Sequence, residues 1–386
     1  GKGRTGMQKH GGIWLALLLA LLAAAVLAPV AAMASEPQSV EINETNFPDE
    51  TFRDYVKDFD KDGNDVLSPQ EIAEVTEINV YNKSISDLTG IKYFTALTNL
   101  NCNKNKLTSL DLSGCTALEK LECYSKQLTK LDVSDCTALT YLDCSDNQLT
   151  SLDVSKNTEL GWLNCSENQL RSLDVSKNTA LGSLYCSGNR LTSLDLSQNT
   201  NLKSLYCSEN QLTSLDLSKN TKLNQLYCSG NRLTSLDVSK NTELGWLNCS
   251  GNRLTSLDLS QNTKLNQLYC SANQLTSLDV SKNTELGWLY CSANQLTSLD
   301  VSKKTELRVL DCSPQTARLG VNRSADGTWS ANLAALVTGW TDKAESITKD
   351  PEEVWDEATN TVTWRDSGVQ PIVTYDYDTG YVKNND

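Results

Sequence analysis

Three groups of residues carry side chains whose type and spacing could do chemistry. The first is a run of oxygen donors, DKDGNDVLSPQE, from Asp60 to Glu71. Asp60, Asp62 and Asn64 stand at the first, third and fifth places of a loop of EF-hand length. Val66 offers a carbonyl at the seventh, Ser68 stands at the ninth and Glu71 at the last. A hard cation such as calcium takes such an oxygen set, with the apolar Leu67 anchoring the loop from behind. The sixth place, where these loops turn on glycine, holds Asp65, which tolerates a left-handed backbone at some cost. The same residues support a second reading. Ser68-Pro69-Gln70-Glu71 is a capping box, with serine as N-cap, proline in the first turn and glutamate reaching back. Calcium ligation and plain closure of a helical cap both remain open at this point.

The second group is the 13 cysteines. Eleven recur at steps of 21 residues, from Cys102 through Cys123 and Cys144 to Cys312. Each falls in a slot that the surrounding pattern makes apolar, which suits small buried groups better than metal ligands or disulfides. Cys115 and Cys136 stand apart, where later units have Asn157 and Asn178. They lie one unit from each other, so a disulfide between them in an oxidising exterior is one reading and two buried thiols the other. What is missing is as informative. The one histidine is His10. Everything downstream of it lacks an imidazole, which removes Ser-His and Cys-His nucleophiles and histidine-ligated zinc. Neither a GxSxG elbow nor a phosphate-cradling loop occurs.

The third group is aromatic, and it becomes visible only through the elements that position it. Leucines recur every 21 residues, from Leu107 and Leu128 to Leu296, and one unit reads LTSLDVSKNTELGWLNCSENQ, Leu149 to Gln169. Its centre, Leu160-x-x-Leu163-x-Cys165-x-x-Asn168-x-Leu170, is the LxxLxLxxNxL pattern with cysteine at the third apolar place. Leu163 and Cys165 alternate with Trp162, Asn164 and Ser166, the period of a short strand. A single unit cannot bury its own leucines, so units must stack, laying their strands into one parallel sheet. Twelve strand positions, from that of Val80 to that of Cys312, give a stack roughly 55 Å long at about 4.8 Å per strand. Leu152 and Val154 belong to the returning side. Two blocks of two units, 212–253 and 254–295, are nearly identical. A catalytic centre needs unique residues, whereas a scaffold that tolerates added blocks suits an extended contact surface.

Two columns then run along the open face of the sheet. One holds Tyr141, Trp162, Trp246 and Trp288; the other holds Tyr185, Tyr206, Tyr227, Tyr269 and Tyr290. Nine aromatics with polar tips and few charges make a patch of the composition that protein-contact hot regions show, and their rings could stack on sugars. The competing reading is that neighbouring rings stack on each other and stabilise the sheet. Glu122 and Asp143 on the same face suggest the paired carboxylates of a glycosidase, but they sit near one end without other catalytic context.

The flanks complete the organisation. Lys2, Arg4 and Lys9 precede an apolar run from Ile13 to Val30 and the small residues Ala32 and Ala34, so residues 1–34 read as a secretory signal peptide. Its removal takes the formal charge from −14 to −17. That acidity excludes nucleic acid, and no second apolar run inserts into a membrane. Residues 35–77 are expected as a helical EF-hand-like cap with helices around 52–59 and 69–75. Residues 78–313 hold the repeats. Residues 314–386 are expected as a small β-rich domain with Trp329, Trp340, Trp355 and Trp364 in its core. The leucine, cysteine and asparagine pattern, with the helical cap before it, resembles the internalin-type leucine-rich-repeat proteins of Gram-positive bacteria, over residues 47 to about 380. The resemblance implies a leucine-rich-repeat solenoid, its parallel β-sheet on the concave face, in a secreted or surface-exposed protein whose concave face engages a host or matrix partner, with caps that need not hold calcium. The residues themselves, an aromatic strip and no catalytic constellation, point to a non-enzymatic monomer that adheres to a host or matrix protein or glycoconjugate, with a non-specific spacer, suggested by the uniform repeats, as the alternative.

Overall fold

The computed structural model describes residues 38–297, 299–301 and 306–312, with the backbone of seven short strands between 322 and 376. The expected signal peptide lies outside the described residues. The first elements form the cap. Strand β1 (Val40–Glu41) pairs antiparallel with β2 (Val66–Leu67), a pairing the sequence did not announce. Helix α1 (Glu50–Val56) starts at Asp49, whose side chain accepts from the Phe52 N–H, and a 3-10 turn (Lys57–Phe59) extends it. Helix α2 (Pro69–Glu74) starts at Ser68 with both halves of the capping box formed. The second helix falls within its expected span, while the first begins two residues before 52 and, with its 3-10 turn, ends at 59 as expected. Phe47, Phe52, Val56 and Leu67 are fully buried and continuous with the leucine core. The cap thus covers the apolar end that a stack of repeats would otherwise expose to water.

The repeats make one parallel sheet of twelve three-residue strands. It runs from β3 (Glu77–Asn79) and β4 (Asn99–Asn101) to β13 (Trp288–Tyr290) and β14 (Val309–Asp311). The first strand begins one residue before the expected cap boundary. Register is set by the repeat: Leu226 lies beside Leu205 and Leu247, each 21 residues away. In every strand the middle leucine or isoleucine is buried and its two neighbours face out. The cysteine that follows is also buried, and its N–H extends the ladder, as Cys165 donates to the Tyr185 carbonyl. The returning side buries Leu152 and Val154 and their counterparts against the same core.

Between strand and return the chain turns sharply. One residue per unit takes a positive φ there: Lys104, Asp146, Glu167, Gly188, Glu209, Gly230, Gly251, Ala272 and Ala293. A carbon side chain in that conformation costs about 1–2 kcal/mol, yet most units accept it. The turn is held by the buried asparagine that comes next. Asn168 Nδ2 donates to the carbonyls of Cys144 and Cys165, and its Oδ1 accepts the Leu149 N–H. One unit departs from this. Lys126 stands where the others have asparagine, and a lysine ammonium has no place in that interior. Ser125 turns inward instead, donating to Leu107 O and Asn147 Oδ1, and Lys126 takes the positive φ.

Beyond Cys312 the expected β character holds for the described backbone. Strands β15 (Asn322–Arg323), β16 (Thr328–Asn332), β17 (Val354–Asp356) and β18 (Thr361–Arg365) form an antiparallel sheet. The expected tryptophan core concerns side chains outside the described residues.

Candidate binding surface

The strand register places the aromatic residues as the spacing implied. Tyr141 is the direct neighbour of Trp162 in one column, and Tyr185, Tyr206 and Tyr227 are consecutive in the other. The rings are closer to one another than separate exposed side chains would be. Tyr141 stacks on Trp162 at 4.0 Å between centroids, and Trp162 leans across to Tyr185 at 5.2 Å. Tyr185–Tyr206 and Tyr206–Tyr227 follow at 4.6 and 4.3 Å, and Tyr269–Tyr290 at 4.7 Å. Such contacts cover one face of the end rings and both sides of Trp162, Tyr185 and Tyr206, so the strip is half-buried and not fully exposed. Trp246, at 37% exposure, is the most open ring on this face. Stacking and presentation are therefore the same arrangement: a rigid aromatic surface loses little entropy when a partner covers it.

Charge sits at the ends of the strip. Lys120 Nζ lies 5.0 Å over the Tyr141 ring and pairs with Glu122 at 3.1 Å, and the Arg308 guanidinium lies 5.5 Å over Trp288. Partial burial pushes Tyr141 and Tyr206 up to about 12 and raises Tyr227, so these phenols stay neutral. Glu122 and Asp143 are direct strand neighbours. Asp143 Oδ1 is already held by the Ser145 N–H and hydroxyl at 3.0 and 2.6 Å. These two carboxylates therefore form part of the folded framework.

The cysteines line the interior behind this sheet. Cys102 and Cys123 donate weakly to the carbonyls of Glu122 and Asp143. Burial pushes Cys102, Cys165 and Cys249 up to about 12, which keeps these thiols protonated. Cys115 and Cys136 are buried free thiols, held by burial at about 11 and about 12. They head a second ladder on the returning side that the sequence reading did not recognise as one. Asn157 Nδ2 donates to Val133 O and Cys136 O, and Asn178 Nδ2 to Val154 O and Asn157 O. The same two bonds recur at Asn199, Asn220, Asn241 and Asn262, each fully buried with Oδ1 unpartnered among the described residues.

In the cap, carboxylate oxygens of Asp60, Asp62 and Glu71 lie within 4.8 Å of one another. Asp65 takes φ 60°, the conformation that the missing glycine would have supplied. Asp60 accepts the N–H groups of Gly63, Asn64 and Asp65, and Asn64 Oδ1 accepts that of Val66. Glu71 accepts from the N–H groups of Lys61 and Ser68, and these bonds hold its carboxyl below the ordinary glutamate value. The Ser68 hydroxyl is committed to the capping box. Asp60, Asp62 and Glu71 thus suit a divalent cation, with Asn64 and Val66 beside them in the loop, while Ser68 serves the helix.

Two family profiles match the chain. One, described as the leucine-rich-repeat domain of the endo-β-N-acetylglucosaminidase EndoS, covers residues 47–178; the other, described as two copies of a leucine-rich repeat, covers 200–241. Internalin J of Listeria monocytogenes serotype 4b is 44% identical over 68 residues, a stretch amounting to 17% of this chain and 7% of that protein. Among solved structures, the functional domain of the Listeria monocytogenes protein, described as including a cysteine ladder, is 33% identical. That match covers 88% of this chain and 95% of the domain, with a TM-score of 0.50. The chain belongs to the internalin-like leucine-rich-repeat proteins. Internalin-like proteins are surface or secreted bacterial proteins, and their fold commonly mediates protein–protein interaction. The repeats are also similar to those in a LRIM1/APL1C complex, at 25% identity over 60% of this chain and 46% of that one, TM-score 0.52. No described helix is long and apolar enough to cross a membrane.

Proposed function

We propose that this chain is an exported adhesion module, led out by residues 1–34, whose concave aromatic strip engages a host or matrix protein or glycoconjugate. The observation that carries the reading is the run of stacked, half-buried, neutral rings from Tyr141 to Tyr227, followed by the open Trp246. Large rigid rings in an uncharged centre with charges at the rim match the anatomy of a contact surface. The test is binding of the purified chain to a panel of host surface proteins, mucins and glycans. Beside it runs the triple variant Tyr206→Ser, Tyr227→Ser, Trp246→Ser. Binding by the native protein that is lost in a folded variant is the expected result; equal binding by both would remove the strip from the interaction. A folded native protein that binds nothing on the panel would favour the spacer role.

The cap supports a second, independent reading, that calcium strengthens the loop from Asp60 to Glu71. It rests on the convergence of Asp60, Asp62 and Glu71 and on Asp65 already holding the required turn. Millimolar calcium should raise the unfolding temperature, and Asp60→Ala should abolish the shift. An unchanged temperature would leave these residues the capping role alone.

A further inference from the structure

The stack of rings on the concave face breaks once. Contacts run from Tyr141 through Trp162, Tyr185 and Tyr206 to Tyr227, and resume with Tyr269 on Tyr290. The strand between carries Asn248, paired with Tyr227 on one side and Tyr269 on the other. No ring contact joins Tyr227 to Tyr269 among the described residues, so the stack is interrupted over the strand of Asn248. Trp246, the most exposed ring of the face, stands on that same strand.

We propose that this gap between Tyr227 and Tyr269 is a subsite for one uncharged pyranose ring of a glycan. Its width argues for a sugar. Two strand steps separate the tyrosines by about 9.5 Å. A flat group in contact with both rings needs only about 7–8 Å, two carbon–carbon contact distances. An arginine guanidinium or an aromatic side chain would therefore sit loose, while a puckered chair with axial hydrogens on both faces fills the extra space. The polar groups agree. Asn248 Oδ1 accepts the Ser250 N–H, and its Nδ2 has no bond partner among the described residues. Gln267 Oε1 accepts from the Tyr269 hydroxyl, which leaves its amide NH2 to donate. Two uncharged donors, the amides of Asn248 and Gln267, suit hydroxyl and ring oxygens, whereas a guanidinium, which has no acceptor, could use neither. The inference rests on the concave face being the binding surface and adds the chemistry of one place on it.

The experiment titrates neutral oligosaccharides of glucose, galactose, mannose and N-acetylglucosamine into the full chain, reading tryptophan fluorescence and saturation-transfer NMR. The decisive variant is Asn248→Tyr. Tyrosine occupies this strand position in five other units, so the fold is kept and the stack becomes continuous. Sugar binding by the native chain that falls roughly tenfold or more in Asn248→Tyr, as loss of two stacking faces implies, with an unfolding temperature that does not fall, is the expected result. Equal binding by the variant overturns the subsite. So does the absence of sugar binding at millimolar concentration, and so does a response to an arginine-rich peptide but to no sugar. If the triple variant still loses a protein partner in those last two cases, the concave surface stands and only the sugar slot falls.

Discussion

The two sides of each repeat obey different rules. On the returning side two polar side chains of each unit are spent on the fold: the asparagines from Asn157 to Asn262 each bridge two backbone carbonyls, and Asp153 and its counterparts accept the N–H of the serine two residues on. That side is almost identical from unit to unit. On the concave side the outward positions change freely among Tyr, Trp, Ser, Gln, Asn, Lys and Asp. The strand relies chiefly on its backbone and its central leucine there, so folding constrains the outward side chain far less. Uniformity marks where the fold uses side chains, and variety marks where it leaves them to a partner.

This comparison can be broken by stability measurements. Asn231→Ala removes bonds to three carbonyls and to the Leu212 N–H, at 2.9–3.3 Å. Leaving such buried groups unpaired should lower urea-denaturation stability by about 3–5 kcal/mol. Tyr206→Ser, in the middle of the strip, should lose only its two stacking contacts, about 1–2 kcal/mol. A concave substitution that cost as much as the ladder asparagine would erase the distinction. The smallest effect sharpens it at the boundary between the sides. Ala272 holds φ 53°, and Ala272→Gly should relieve that strain for a net gain of about 0.5 kcal/mol after the flexibility that glycine adds to the unfolded chain. A loss of stability there would show that the turn is not strained.

Much of this was legible in the sequence because the period does the work of a map. Leucine and cysteine spacing places the strands, and the 21-residue step dictates which residues become neighbours, as it did for Tyr206 and Tyr227. The capping box and both cap helices follow from local residues. What escaped depends on contacts across units. The positive-φ column carries Lys, Asp, Glu, Gly and Ala in turn, so no glycine signature announces it. Asn157 and its successors look like ordinary turn residues until their carbonyl partners one unit earlier are seen. The lean of Trp162 onto Tyr185, which joins the two columns, is a choice of side-chain direction that spacing alone does not fix. Ser125 entered the core because Lys126 could not, a decision that only the crowded interior makes.

The uniform step has one more consequence. Because Leu205, Leu226 and Leu247 meet equivalent neighbours above and below, removing or inserting a whole unit leaves every surviving contact in register. The near-identity of 212–253 and 254–295 is what unequal recombination produces. Length in such a molecule can drift by whole units between lineages at little cost in folding, and with each step the reach of the aromatic strip changes by one strand.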